Sequence, residues 1–397
     1  TGPFTAVSGD GFFVNTNGGA ITVTLPGSPS AGDIVAFKDY NNTWATACKG
    51  VTLCRNGSKI NGNCQNTTLV TRSQSVTLIY VDGTKGWQDI HDSTANITGA
   101  PAFISATGGT VTTSGDFKIH TFTGDGTFCI ATAPTPGNNN VSYMVVAGGG
   151  GGGSSPNSNS GSGGGAGGFR EGETPQAPYT GSPLKAGSGI PVSVQGYPIT
   201  VGGGGAGTPN TIGAQGGPST FSTITSAGGG RGASGLSPGT SGNAVGGDGG
   251  SGAGGAGGGT SPNNVGGSGN TPPVSPSQGN NGGPSRGSPG PSHDTASGGG
   301  GGAGGAGGAS PNGACGGAGG AHVNSSITAS DVEYAGGAGG TGVPASRGTP
   351  GGGGAGQSEP SSTAGTANTG GGGGGAYSGT AGKAGGSGIV VIRYKFQ

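Results

Sequence analysis

Apolar and polar residues alternate along several short stretches near the beginning of the chain. In the stretch AITVTLPG, Ile21, Val23 and Leu25 stand two residues apart with threonines between them. This spacing is typical of a β-strand with one buried face. The stretches DIVAFKDY, SVTLIYVDG and KGWQDIHD repeat the pattern, and Gly, Asn, Asp and Pro separate them at turn-like intervals. Residues 1–92 are therefore predicted to form an antiparallel β module, either a meander or a small sandwich.

The pattern changes after this module. Residues 93–116 are predicted to be a connector with one short strand, and residues 117–147 contain further strand-like stretches that end in VSYMVVA. Residues 388–397 carry the apolar stretch GIVVIRYKF. One apolar strand thus precedes residues 148–387 and another follows them. This placement predicts that the two strands pair and close the base of the region between them.

Residues 148–387 are dominated by glycine, which supplies 106 of the 397 residues of the chain. Only 28% of all residues are hydrophobic and 8% are charged, so a conventional core cannot extend through the whole chain. Triplets such as GGAGGAGGA recur, and a period of three is typical of a polyproline-II-type backbone. Collagen would require unbroken triplets with abundant proline, and these are lacking.

The predicted fold class is therefore all-β plus non-regular structure. In this hypothesis the antiparallel β module precedes a glycine-rich bundle of polyglycine-II-type helices, and a C-terminal strand closes the bundle. Glycine would allow the helices to approach closely, with lateral N–H···O bonds supported by weak Cα–H···O contacts. Alanine and serine would lie where a triplet faces outward or into a small gap.

Segments that carry side chains interrupt the glycine runs, and we expect them to be reversals at the ends of the bundle. Loops on a rigid scaffold are common binding sites, and tyrosine and arginine are frequent in binding hot spots. The candidate contact residues in these segments are Arg170, Tyr179, Lys185, His322, Asp331, Tyr334, Arg347 and Tyr377.

Charge and motif content argue against several function classes. The formal net charge is zero and no basic stripe is visible, which argues against a nucleic-acid partner. The longest apolar runs are too short to span a bilayer. The four histidines lack ligand spacing, and the many G-x-G-x-x-G matches follow from glycine content alone. We therefore predict no enzyme activity, no cofactor and no metal site. No signal peptide is visible and the chain begins at Thr1, so we expect a processed product or part of a longer protein.

Two residue types leave alternatives open. Cys48, Cys54 and Cys64 lie in one short window, and either one disulfide within this trio or none is compatible with the sequence. Trp44 and Trp87 could stack on a sugar or pack in the β core. Packing is favoured for Trp87, because it directly follows a turn.

Both regions resemble parts of known proteins. The stretches FFVNTNGGAITVTLPGSPSAGDIVAFKDY, CRNGSKING and SVTLIYVDGTKGWQDIHDS resemble a β module repeated in tail-fibre and other virion proteins of tailed bacteriophages. VSYMVVAGGGGGG, GYPITVGGGGAG, FSTITSAGGG and GGSGIVVIRYKFQ resemble a glycine-rich domain of the same proteins. The interrupted glycine runs are also similar in texture to the tip adhesins of some phage fibres.

The resemblance implies a structural and adhesive virion protein, most simply a tail-fibre adhesin. The β module would be a spacer or oligomerisation unit, and the loops would contact a host cell-surface receptor, either a glycan or an outer-membrane protein. Other virion proteins would be further partners, and the chain would form a homotrimer on an extracellular particle. The alternatives are a fibre-shaft or capsid-decorating protein without a receptor, and a secreted bacterial filament or ice-binding protein.

Overall fold

The structure is a computed structural model in which β-strands are the regular secondary structure. It describes residues 2–46, 48–92, 103–134, 137–156, 159–235, 244–258, 264–287, 295–312, 314–342, 353–356, 362–377 and 379–397. These ranges contain 23 strands and no helix.

The N-terminal module consists of eight strands in two four-stranded sheets. The strands are Phe4–Thr5 (β1), Gly11–Val14 (β2), Ile21–Thr24 (β3), Ile34–Asp39 (β4), Val51–Cys54 (β5), Thr67–Leu69 (β6), Ser75–Tyr80 (β7) and Trp87–Asp92 (β8). One sheet has the order β1-β3-β5-β6 and the other β2-β4-β7-β8.

The antiparallel module predicted from the sequence is wrong in part, because both sheets are mixed. β1 pairs with β3, β3 with β5, and β2 with β4, and all three pairs are parallel. The first five strands alternate between the two sheets, so the chain leaves each sheet and returns in the same direction. Only the later pairs, such as β5 with β6 and β7 with β8, are antiparallel. Alternating hydrophobicity identifies a strand but not the direction of its neighbour.

Apolar side chains from both sheets of the module share one core. Val23, Leu53 and Leu78 have no exposed surface, and Phe37 is 1% exposed. The two tryptophans also belong to this core, so the structure favours packing over a sugar-stacking surface for both. Full burial of one such side chain contributes about 1.5–3 kcal/mol. This module is therefore held by side-chain packing.

The rest of the described chain contributes fifteen strands. They are Ser105–Thr107 (β9), Thr110–Ser114 (β10), Phe117–Phe122 (β11), Gly126–Thr132 (β12), Asn140–Val146 (β13), Phe169–Gly172 (β14), Ile190–Pro191 (β15), Gly196–Thr200 (β16), Ser219–Phe221 (β17), Ile224–Ser226 (β18), Arg286–Gly287 (β19), Thr295–Ala296 (β20), Val323–Ser325 (β21), Val332–Tyr334 (β22) and Ile389–Lys395 (β23). β9 and β10 lie in the stretch predicted to be a connector, of which residues 93–102 are outside the described residues.

A central sheet with the order β10-β11-β23-β13-β14 organises this region. The pairing predicted between the strands before and after the glycine-rich stretch is observed, because β13 runs antiparallel to β23 over five residue pairs. Both faces of this sheet are covered. One face, with Tyr143 and Ile392, packs on a second sheet of order β18-β17-β16-β12-β9. The other face, with Met144 and Val391, packs on the glycine-rich segments.

The predicted bundle of polyglycine-II-type helices is wrong. The described part of residues 148–387 contains no helix, and nine strands, β14 to β22, lie in it. The stretch FREG, which lies in a segment expected to be a reversal, is strand β14 of the central sheet. A period of three in glycine is a weak predictor of backbone shape because glycine accepts many conformations.

Backbone hydrogen bonds between distant segments hold the glycine runs that lie between these strands. The amide of Gly150 donates to the carbonyl of Gly165 at 2.9 Å, and the amide of Gly165 donates to Gly230 at 2.9 Å. Gly373 in turn donates to Gly150 at 2.9 Å. One short run is thus bonded to segments far apart in the sequence. This arrangement satisfies buried peptide groups without side chains.

The same runs explain the need for glycine. A Cβ added to Gly150 would lie 2.0 Å from the carbonyl oxygen of Gly230, and one added to Gly304 would lie 2.2 Å from that of His322. Gly305 has more room, since its nearest contact would be 3.5 Å away. Ala303 is buried at 2% exposure, so this alanine fills a gap rather than facing outward.

A disulfide connects the two regions of the chain. Cys48 of the N-terminal module is bonded to Cys129 of β12, with a Cα–Cα distance of 6.1 Å. From the sequence, either one disulfide within the trio Cys48, Cys54 and Cys64 or none was expected. The structure instead pairs Cys48 with a cysteine outside this trio. Cys54 and Cys64 are not disulfide-bonded.

Candidate functional site

Two of the segments that interrupt the glycine runs, residues 169–189 and 322–334, lie against one another. The amide of Ser326 donates to the carbonyl of Thr180 at 2.9 Å, and the amide of Thr180 donates to the Ser326 hydroxyl at 3.0 Å. We call these two ranges the paired segments. They contain six of the eight residues predicted from the sequence as contacts.

A buried carboxylate joins the paired segments. Glu171 is 2% exposed, and its Oε2 accepts a hydrogen bond from the amide of Ser182 at 2.8 Å. Its Oε1 accepts one from the Ser325 hydroxyl at 2.5 Å. Because each oxygen binds a different segment, Glu171 fixes their relative position. Glu171 was missed as a site residue from the sequence, although two of the fifteen acidic residues of the chain occur together in FREGE.

An open cleft of about 560 Å³ lies between the paired segments. Its lining combines backbone, small polar side chains and two groups that can carry charge. The lining residues are Thr180, Gly181, Pro183, Gly304, His322, Val323, Asn324, Ser326 and Asp331. His322 and Asp331 were predicted from the sequence as contacts, and the structure brings them to one surface.

The hairpin formed by β21 and β22 orients the polar groups of this cleft. Asn324 donates from Nδ2 to Oδ2 of Asp331 at 2.9 Å. His322 Nε2 lies 3.3 Å from Oε1 of Glu333, which faces it from the neighbouring strand. The cleft thus offers a carboxylate, a carboxamide, an imidazole and hydroxyl groups, which suit hydrogen bonding to a polar ligand.

Four other predicted residues lie in the paired segments without lining the cleft. Lys185 forms an ion pair with Glu173. Burial opposes the charge of Glu173, but Lys185 and the Tyr179 amide together hold the pKa of Glu173 below its usual value. Burial raises the pKa of Tyr179, and the nearby Glu171 carboxylate adds to this effect. Tyr334 is 3% exposed and packs against Phe169.

Arg170 is the fourth of these residues, and it is partly exposed on β14, opposite Val145. Lys185 and Arg170 therefore keep solvent access, whereas Tyr334 belongs to the core. The remaining two predicted residues are elsewhere. Tyr377 forms an isolated bridge with Ser160, and Arg347 lies outside the described residues.

A second cleft, of about 590 Å³, lies between the N-terminal module and the region that follows it. Arg55, Cys64 and Asn66 line one side, and Asn139 and Val194 line the other. None of the residues predicted from the sequence reaches this cleft, so we place the candidate site between the paired segments.

Comparison with protein families identifies the region that contains the cleft. Residues 121–395 match the family model described as a glycine-rich domain. The chain belongs to this glycine-rich domain family. The match begins within β11 and ends with the last residue of β23, so it includes the central sheet, the glycine runs and the paired segments.

Membership in the glycine-rich domain family does not by itself make the chain a tail-fibre protein or an adhesin. No curated protein matches the chain. Among the described residues, no helix is long and apolar enough to cross a membrane. Within the same ranges, no three His, Cys, Asp or Glu side chains are grouped closely enough to hold a metal ion. The kind of ligand that the cleft suits is therefore inferred from the residues that line it.

Proposed function

We propose that the chain is a virion structural protein, a tail-fibre adhesin that binds a host cell-surface receptor with the paired segments. The proposal combines the sequence resemblance described above with the structure of the cleft. The observation that carries it is the meeting of two segments, about 150 residues apart in the sequence, at one polar cleft. A binding surface built on a rigid scaffold has this form.

The glycine-rich domain has two properties that suit this role. Its interior is bonded through the backbone, so it requires few side chains of its own. Strand β14 makes the first paired segment part of the central sheet, and buried Glu171 bonds the second paired segment to the first. A ligand in the cleft would therefore meet groups that are already in position, which lowers the entropic cost of binding.

The proposal is tested with the purified chain and with two variants. We expect the fluorescently labelled chain to bind cells of particular strains within a bacterial panel. The double variant His322→Ala, Asp331→Ala should lose binding by about tenfold or more, because it removes two polar groups of the cleft. Arg72→Ala, an exposed change in the N-terminal module, is the control and should bind normally.

Two results would contradict the proposal. One is binding that survives unchanged in the double variant, because the cleft would then not be the receptor site. The other is an image of the intact particle that places the chain on a capsid or along a shaft, which would favour a structural protein without a receptor.

A further inference from the structure

Strand β10 forms an edge of the central sheet and has a regular partner on one side only. Its residues Thr110–Ser114 pair with Phe117–Thr121 of β11 in an unbroken antiparallel register. Four of its five residues are exposed, and Val111 is 45% exposed. β10 has the sequence TVTTS, with no charge and no proline. An edge of this kind can accept a further strand.

The hairpin turn determines which peptide groups of β10 point outward. Ser114 and Phe117 flank a two-residue turn, and Gly115 at its first position has φ of +55°. This is the position where a type II′ turn requires glycine. Residues flanking such a turn exchange hydrogen bonds with each other, and the direction then alternates along the strand. Thr112 therefore faces β11, whereas the N–H and C=O groups of Val111 and Thr113 face away from it.

No hydrogen-bond partner for these outward groups occurs in the part of the chain that the structure describes. Val111 and Thr113 stand symmetrically on either side of Thr112. A second β10, related to the first by a 180° rotation about an axis midway between the two Thr112 residues, would place Val111 opposite Thr113 of the other copy. Each such pair exchanges two hydrogen bonds, so the two pairs would satisfy all eight outward donor and acceptor sites in four bonds.

We propose that β10 is a self-association edge, at which two copies of this chain pair antiparallel about Thr112. The partner is a second copy because the outward groups are self-complementary about that residue. Charge does not oppose the contact, since the strand is uncharged and the formal net charge of the chain is zero. The two central sheets would then become one continuous sheet.

Two other edge strands, β8 and β9, carry features that protect an edge from pairing with another strand, and β10 can be compared with them. β8 contains Asp89 and has a bulge in its pairing with β7 between Thr77 and Leu78. The pairing of β9 with β12 is also shifted, between Ile130 and Thr132. Bulges and inward or flanking charges are devices that prevent edge-to-edge pairing. β10 has no bulge and no charged residue within the strand; Asp116 lies beyond it in the hairpin turn.

A charge placed on the symmetry axis tests the register directly. Thr112 is exposed, so Thr112→Lys and Thr112→Glu should both leave the monomer folded. In the proposed dimer the two side chains at this position lie directly opposite one another, where like charges repel. Each variant alone should therefore dissociate up to about fivefold more readily than the unmodified chain. A mixture of the two variants should recover association, because Lys then faces Glu.

A second pair of variants tests the backbone bonds. Val111→Pro removes an outward N–H without removing a bond to β11, and proline is tolerated at such edge positions. It should abolish association, whereas Val111→Ala should retain it. Thr22→Lys, an exposed strand threonine in the N-terminal module, is the control for added charge.

Association is measured by sedimentation velocity and by native mass spectrometry of the full chain over a wide concentration range. Dimers that follow the expected order of the variants support the proposal. A monomer at all concentrations overturns it. So does a trimer, or any oligomer, that is unaffected by Thr112→Lys, because that assembly would use another surface.

Discussion

The N-terminal module and the glycine-rich domain are stabilised in opposite ways. In the module, side chains such as Phe37, Leu53 and Trp87 fill the space between two sheets. In the glycine runs, peptide groups from distant segments meet directly, and the space between them is too small for a Cβ. The first region should therefore be sensitive to the loss of a core side chain. The second should tolerate the loss of side chains but not the addition of one.

The largest effect is expected from a single methyl group added to the glycine runs. In Gly150→Ala the new Cβ would lie 2.0 Å from the carbonyl oxygen of Gly230, so one of the two backbone segments has to move. Overpacking usually costs about 1–3 kcal/mol, and we expect the loss in the free energy of unfolding of this region to exceed that range, because backbone rather than a side chain has to move. Differential scanning calorimetry measures it.

Gly203→Ala is the matched control, since a Cβ there has no atom within 4 Å. This change should be neutral or slightly stabilising, because alanine has fewer unfolded conformations than glycine. Equal melting of the two variants would contradict the view that backbone contact holds the runs.

The next largest effect is expected in the module. Phe37→Ala removes a side chain that is 1% exposed and should reduce the free energy of unfolding by about 3 kcal/mol. Phe13→Ala removes the same atoms from a position that is 74% exposed, and should change it by less than about 0.5 kcal/mol. Both tryptophans of the chain are buried in this module, so tryptophan fluorescence during denaturation reports on it alone. A similar midpoint for the two variants would argue against the assigned core.

The sequence predicted the first region better than the second for a physical reason. Alternation along AITVTLPG identified buried Ile21, Val23 and Leu25, because side-chain period and strand period are the same. Strand direction was missed, since it depends on which sheet each strand joins. The glycine runs lack the spaced apolar side chains that would indicate the period of the backbone, and the helices predicted there were wrong.

The candidate site could be predicted only in part. The paired segments were selected because they carry tyrosine, arginine and histidine, and the structure brings them together. Their contact through Glu171, Thr180 and Ser326 could not be predicted, because it depends on the path of the glycine runs that separate the segments. The disulfide partner of Cys48 was missed for the same reason, as Cys129 lies 81 residues away.

That disulfide cross-links the two regions in addition to the polypeptide chain, and its removal should have an intermediate effect. The double variant Cys48→Ala, Cys129→Ala frees a long loop in the unfolded chain and should cost about 2 kcal/mol. We also expect the melting of the module, followed by tryptophan fluorescence, to separate from that of the glycine-rich domain. The control is Cys54→Ala with Cys64→Ala, which leaves the link intact. Identical, single transitions in both double variants would show that the bond does not couple the regions.

The smallest effect on stability is expected from the titration of His120, which lies on β11 beside β23 in the central sheet. Its Nδ1 is 2.7 Å from the carbonyl oxygen of Gly108, and its Nε2 is 3.0 Å from the Tyr394 hydroxyl. A carbonyl can only accept, so Nδ1 carries the proton of the neutral ring and Nε2 accepts from Tyr394. Burial lowers the pKa of His120, and the charge of Lys118 adds to this, although the bond to Gly108 opposes it.

The sign of the pH effect follows from this direction. Below an unfolded pKa of about 6.5 the unfolded chain binds a proton that the folded chain resists, so stability falls as the pH decreases. Above this pH, His120 should make the free energy of unfolding neither rise nor fall with pH. Below it, the free energy of unfolding should decline toward about pH 5. In His120→Gln the group does not titrate, so the decline in that window should be shallower, and the change should be smaller than for Gly150→Ala, Phe37→Ala or the disulfide variant. Calorimetry of both proteins across the window measures the two slopes. If the slopes are equal, the stability of the strands around β23 is not sensitive to this proton.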